Sequence, residues 1–458
     1  MGPRTFTADT DSIDATDDPG RLGVEEISIE LGPRPSSSRP SSRPSSTRRQ
    51  WVFDVGCAIF AAHILVDSYL QLRPGTSASD HLVSGTVPIA VLAGVATITR
   101  RLRPGGFATV AGTLGVAVAF GSAGAPVSGL LGGRLDVAAV TGETSFVAAV
   151  ALVGVAAHAL WSSRRIGGRR ISRWGRRLAR GILGVGLVVG LAVPIGMGYV
   201  VANRTSPVHA DSDLGMPHEN VSFGTADGLV LTGSYIPSRN GAAVIVFPGR
   251  RAGHTRLLAM NGYGVLVFEP RGQAGSEGDP NLLGWSGEPD LDAAIAYLQT
   301  RPDVEPDRIG GVGLSVGGEL MIQTAAHNLG LSAVVSEGAG TRQIMEDLHM
   351  PAPDNVIGIP MGAVATLATA VFSDSLPPPP LTDLVDDIAP RPLLLIWTRN
   401  GVGGEYNNPR YNDHAGEPKT IWEIPEASHT HGLDARPEEY AERLIGFLDQ
   451  ALAPSDDA

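Results

Sequence analysis

The chain has one cysteine, Cys57, in 458 residues, so no disulfide can form within it. Lysine is just as scarce: Lys419 stands alone, and every other basic residue is arginine. Only 5% of residues are aromatic. There is no Cys-x-x-Cys pair and no His-Glu-x-x-His run, so neither a structural nor a catalytic zinc site is expected. No other metal or cofactor is expected either. The N-terminus lacks the form of a cleavable signal peptide, because a long polar stretch precedes the first apolar segment. Basic charge is outnumbered in the second half. The net charge of −12 conceals this asymmetry: after residue 203 the chain carries about 34 acidic against about 15 basic residues. Nucleic acid is therefore not an expected partner.

What is present falls into three parts. Residues 1–50 are rich in Ser, Pro and Arg, with little apolar surface to bury, and are expected to be a disordered cytoplasmic tail. Residues 51–203 hold five apolar segments of roughly membrane length, at Trp51–Leu72, Val83–Thr99, Phe107–Ala123, Thr144–Trp161 and Ile182–Val201. Arginines sort the loops between them. Arg48 and Arg49 precede the first segment; Arg100, Arg101 and Arg103 follow the second; eight more lie between Arg164 and Arg180. The intervening loops Arg73–Leu82 and Pro126–Glu143 carry one Arg each. The positive-inside rule then predicts a multi-pass protein of the cytoplasmic membrane. Its N-terminus is inside and everything after Val201 is outside. Asp54, His63 and Asp67 in the first segment are expected to face neighbouring helices or the interface rather than to form a transport path.

From about residue 204 the pattern changes to short apolar runs alternating with helical stretches. Strands are predicted at Asn220–Phe223, Leu229–Ile236, Ala243–Phe247, Val265–Phe268, Ile309–Gly313, Ala333–Ser336, Leu393–Trp397 and Thr420–Ile424. Helices are predicted at Asp290–Gln299, Gly318–His327 and Glu438–Leu452. The first two strands flank the turn Ala226-Asp227-Gly228 and form a hairpin; the rest alternate with helices. The expected fold class is α/β: a mostly parallel sheet covered on both faces, preceded by an all-α transmembrane region.

The chemistry is read from Gly313-Leu314-Ser315-Val316-Gly317, between a predicted strand and a predicted helix. A Ser between two glycines at a strand–helix turn has the form of a nucleophile elbow. A hydroxyl needs a base, which in this chain order is a His after the last strand. His429 is the candidate, with His431 as the alternate. An acid should follow strand Leu393–Trp397 to orient that His. Glu405 is the first carboxylate there and the choice; Asp413 is the next. The oxyanion hole needs two backbone amides. These are expected from Val316 and, because Pro248 has no N–H, from Arg250.

Val244–Phe247 with Pro248-Gly249, then Asn261-Gly262-Tyr263-Gly264-Val265, Pro270-Arg271-Gly272-Gln273-Ala274-Gly275-Ser276-Glu277-Gly278, and Gly313–Gly317 occur in this order, closing with Ser428-His429-Thr430. In this order they resemble the α/β-hydrolase superfamily, closest to its dienelactone hydrolase-like and serine aminopeptidase-like branches. The resemblance covers about Asn220 to Leu452. It implies an eight-stranded sheet and a Ser, acid, His triad carried onto Ser315, Glu405 and His429. It also places a cap-like insertion at residues 338–380 of a 204–458 catalytic domain. The apolar run Ile359–Phe372 in that insertion is too short to span a bilayer as read. It is expected to be a buried cap helix, to line an acyl pocket, or to dip into the outer leaflet, in that order.

The function expected is hydrolysis of a small-molecule acyl substrate, an ester or thioester first and a small peptide or amide next. Two rivals are a non-catalytic membrane sensor or binding protein, and an acyltransferase.

Overall fold

A computed structural model describes residues 44–122, 137–162, 170–205, 214–248, 252–350, 352–353 and 355–454. Most of the predicted tail, part of the Pro126–Glu143 loop, and Arg134, Arg164, Arg165 and Arg169 lie outside the described residues. Helix begins sooner than the tail's expected end, since α1 starts at Pro44, and proline is well suited to a first helical turn.

The N-terminal helices are α1 (Pro44–Leu65), α2 (Leu82–Thr99), α3 (Pro104–Ser122), α4 (Val137–Ser162) and α5 (Arg170–Asn203). Phe53, Phe107 and Leu152 form the centre of their core, with alanines from α3 and α4 around them. Small residues set the spacing: a Cβ on Gly115 of α3 would come within 2.8 Å of the Ala149 carbonyl of α4. Small residues at such a contact let the two helix backbones approach closely.

The second half is an eight-stranded sheet in the order β1-β2-β4-β3-β5-β6-β7-β8. The strands are β1 (Glu219–Gly224), β2 (Val230–Ile236), β3 (Ala243–Phe247), β4 (Gly264–Phe268), β5 (Ile309–Leu314), β6 (Ala333–Glu337), β7 (Leu393–Trp397) and β8 (Lys419–Glu423). β2 runs antiparallel to both β1 and β4, and every later pairing is parallel. Alternate residues of β3 separate the two cores. Ile245 packs with α7 (Glu288–Gln299) and α8 (Val316–His327). Val244 and Val246 pack with α6 (Ala252–Met260) and α13 (Pro437–Ala451). All eight predicted strands form, with ends within a residue or so of expectation.

The insertion departs from its prediction. It holds α9 (Ile344–Asp347) and α10 (Asn355–Ser373), and α10 extends the predicted apolar run by four residues on its N-terminal side. At 19 residues, it joins five N-terminal segments as a helix long and apolar enough to cross a membrane. Nor is it a buried cap helix, since only Ala368 and Thr369 are buried. The remaining short helices are α11 (Asn408–His414) and α12 (Gly432–Ala435).

The two halves meet directly. The Leu282 amide donates to the Val201 carbonyl of α5 (3.0 Å), and Gln273 Nε2 to the Arg204 carbonyl (3.0 Å). The Gly278 amide donates to the carbonyl of Pro74 (2.8 Å). Asp374, just past α10, accepts from the Val83 and Ser84 amides that open α2.

Candidate active site

Ser315 stands alone between β5 and α8 with φ 57° and ψ −127°, a conformation costly for a residue with a side chain. Its neighbours make the turn possible. A Cβ on Gly313 would collide with the Gly317 carbonyl, and one on Gly317 with the Phe247 carbonyl of β3. The Ser315 amide is held by the Glu337 carbonyl at the end of β6 (2.8 Å). The hydroxyl is thereby thrust clear of the backbone at the first turn of α8, where helix amides point toward any charge that develops on a bound carbonyl. The Val316 amide is the first of these.

His429 lies in the loop after β8. Its Nε2 is 2.8 Å from Ser315 Oγ, and its Nδ1 is 2.7 Å from Glu405 Oε2. Glu405 is only 1% exposed. Eight positions beyond β7 it is far along the chain, yet the loop brings it back. Gly403 and Gly404 adopt φ of 67° and 94°, folding Thr398–Gly404 onto itself. The Thr398 amide, at the strand end, then donates to Glu405 Oε1 (2.8 Å). Gly401 presses its backbone against the same carboxylate, and a Cβ there would clash with it. The buried acceptor Oε2 fixes the imidazole with Nδ1–H toward Glu405, leaving Nε2 to accept from the serine hydroxyl.

The other sequence candidates fall differently. His431 is exposed, and its ring engages the His429 carbonyl rather than Ser315. Asp413 sits exposed on α11. Arg250, expected to donate the second oxyanion amide, lies outside the described residues together with Gly249 and Arg251.

The sequence model of the X-Pro dipeptidyl-peptidase (S15) family matches residues 199–352. The sheet order, the two antiparallel pairings of β2 and the elbow after β5 agree with that match. The chain is an α/β hydrolase. Among similar proteins, the uncharacterized protein YfhR of Escherichia coli O157:H7 is 26% identical over 255 residues, 52% of this chain and 83% of that protein. Thiohydrolase aneE of Aspergillus aculeatus is 26% identical over 189 residues, 38% of this chain and 58% of its own length. The esterase Pf2001 of Pyrococcus furiosus is 20% identical in sequence, with a TM-score of 0.44, and covers 55% of this hydrolase and 100% of that chain.

Around its site the hydrolase buries charged side chains that sequence reasoning did not single out. Glu337 is the most connected. Its backbone holds the Ser315 amide, while its side chain accepts from the Gly432 amide beyond His429 (2.8 Å) and from the Tyr440 hydroxyl (2.6 Å). His254 Nε2 lies 3.0 Å from that hydroxyl and 3.6 Å from the carboxylate. One carboxylate thus ties the serine turn to the histidine loop. Burial pushes its pKa up, but the neighbouring imidazole, the phenol and the amide outweigh this, and the carboxyl titrates below its usual range. A charged residue ending the apolar strand Ala333–Ser336 was the available signal. Its partners, His254 and Tyr440, lie far away in sequence and gave none.

Glu319, on the nucleophile helix, is the counter-case. It accepts from the Gly340 amide (3.0 Å) and lies 3.9 Å from the buried Arg342 guanidinium, and burial still raises its pKa. No nitrogen of that guanidinium has a hydrogen-bond partner among the described residues. Asp290, fully buried, receives both the backbone amide and the side chain of Arg271 (each 2.9 Å), which fastens the loop after β4.

Proposed function

We propose that this chain is a membrane-anchored serine hydrolase that cleaves a carboxylic ester or thioester. Residues 51–203 are its anchor, and residues 204–458 its catalytic domain, with the insertion at 338–380 as a cap. The observation that carries this assignment is the unbroken chain of short hydrogen bonds from Ser315 Oγ through His429 to the buried Glu405. Exposed loop residues have no reason to be held in such an order; a nucleophile, its base and its orienting acid do.

In the proposed reaction Ser315 Oγ attacks the acyl carbonyl as His429 Nε2 takes its proton. Glu405 stabilises the imidazolium and keeps its tautomer. The oxyanion is received by the Val316 amide and by that of Arg250. The carbon–oxygen or carbon–sulfur bond to the leaving group breaks as His429 returns the proton to it. Water, deprotonated by the same nitrogen, then releases the acid and restores Ser315.

The arginine clusters at Arg48–Arg49, Arg100–Arg103 and Arg164–Arg180 support a cytoplasmic N-terminus and an extracytoplasmic catalytic domain. A second reading, cleavage of a small peptide or amide, is favoured by one observation: the family that matches residues 199–352 is a peptidase family.

The test is fluorophosphonate labelling of sealed right-side-out membranes, wild type against Ser315→Ala. Labelling from outside that requires Ser315 is expected. Labelling only after permeabilisation would reverse the orientation. No labelling in detergent would remove the serine-hydrolase assignment. Ester, thioester and Xaa-Pro anilide substrates then separate the two chemistries.

A further inference from the structure

α10 is apolar and long, yet it cannot cross a membrane once. It is inserted between β6 and β7, and these strands pair as neighbours, Val334 opposite Leu393. A single crossing would leave the two on opposite sides of the bilayer. At about 1.5 Å per residue the helix is about 28 Å long, so length is no obstacle; topology is.

Nor is α10 buried in the hydrolase. Val356 and Ile357 are 72% and 68% exposed, Leu367 is exposed further along, and so are Met345 of α9 and Leu348 just after it. Each such side chain is worth roughly 1.5–3 kcal/mol when removed from water, so a watery setting for this cluster is costly. The C-terminal half of α10 packs on the anchor. A Cβ on Gly198 of α5 would come within 2.6 Å of Ala368, and Phe372 meets Tyr199 edge-on at 5.4 Å. Asp374 caps α2. The exposed apolar cluster is therefore continuous with helices long and apolar enough to lie in a bilayer.

The root of this hairpin adjoins the triad. The Thr341 amide donates to the Gly403 carbonyl in the Glu405 loop (2.9 Å), and a Cβ on Gly338 would touch His429 at 3.1 Å. On the other flank, a Cβ on Gly284 would come within 3.0 Å of Val316, and Leu282 two residues earlier is bonded to α5. The serine is thus bracketed by two segments that both lean on the anchor.

We infer that the α9–α10 hairpin lies in the membrane leaflet beside the catalytic domain, and that the site takes its substrate from that leaflet: a long-chain acyl ester of a bilayer lipid. This rests on the serine-hydrolase reading above. The acyl chain stays in apolar surroundings while its carbonyl reaches Ser315.

The test uses the full chain in phosphatidylcholine–phosphatidylglycerol vesicles with two esters, bilayer-borne 4-methylumbelliferyl oleate and soluble 4-methylumbelliferyl acetate. The double variant Val356→Glu, Ile357→Glu is expected to lower turnover of the oleate at least about 10-fold. Acetate turnover and fluorophosphonate labelling of Ser315 should not change. Equal turnover of the oleate by variant and wild type, or an equal loss on both esters, overturns the inference and leaves the hydrolase assignment standing. Absence of both labelling and turnover in the wild type overturns both. Independently, a nitroxide on Ile357→Cys in a Cys57→Ser background should be accessible to oxygen and shielded from a water-soluble nickel chelate. Accessibility to the chelate like that of an aqueous site overturns the placement.

Discussion

The sheet half and the helical half fill their interiors with different chemistry. The sheet buries carboxylates, Asp290, Glu319, Glu337 and Glu405, and meets most of their oxygens with backbone amides, a guanidinium or a phenol. The helices bury Phe53, Phe107 and Leu152 among alanines and close the gaps by omitting side chains, as at Gly115. A loop-rich α/β fold has spare N–H groups to aim at a buried charge. A helix has spent its own internally, so helices are left with shape. Charge-neutralising changes should therefore damage the sheet half and volume changes the helical half.

The largest effect is expected from Glu405→Gln, which keeps the shape and removes the charge. Turnover should fall by about 10³–10⁴-fold, with the fold intact by circular dichroism. A loss under tenfold would mean that another group orients His429. Next is Arg271→Ala, which leaves Asp290 buried without its partner. About 3–5 kcal/mol of stability should be lost, read as a lower denaturation midpoint of the sheet domain with helical signal from the anchor retained. Glu337→Gln comes third, costing about 1.5–3 kcal/mol near neutral pH.

That third variant carries a pH signature. The folded-state pKa of Glu337 is depressed. Its contribution is present above the unfolded value of about 4.3 and disappears as pH falls through the folded one. Wild type and Glu337→Gln should therefore converge in stability in acid. A constant difference across pH would assign the effect to packing. The smallest effect is expected from Gly115→Leu, about 1–3 kcal/mol through overpacking against α4. It should lower thermal stability in detergent while leaving the rate of Ser315 labelling within about twofold.

The same contrast explains what the sequence made legible. Strands were readable because their apolar runs are bounded by turn residues, and the serine turn because its glycines are forced by contacts on both sides. Glu405 was readable only by order along the chain. What makes it fit is the fold-back at Gly403 and Gly404, a property of backbone angles. Glu337 was marked only as a charge ending an apolar strand, and His254 and Tyr440 were invisible, because residues brought together by the tertiary fold have no spacing rule. The start of α10 was set too late, because the expected apolar run began at Ile359 and the helix continues back through Asn355–Gly358. Its exposure could not be read at all, since an apolar segment looks the same whether protein or lipid covers it.

The position of α10 has a consequence for biosynthesis. On the proposed membrane anchoring, the insertion machinery meets five apolar segments that it should keep as the chain emerges, and later a sixth that it must release. If the sixth were retained across the bilayer, β7 and β8 would be stranded on the wrong side, and Glu405 and His429 with them. Pro360, Gly358 and Gly362 lie within that segment, but proline and glycine also interrupt α2 and α5, so composition does not mark it for release. On the proposed topology, correct assembly of the triad is decided during membrane insertion, before the sheet can close.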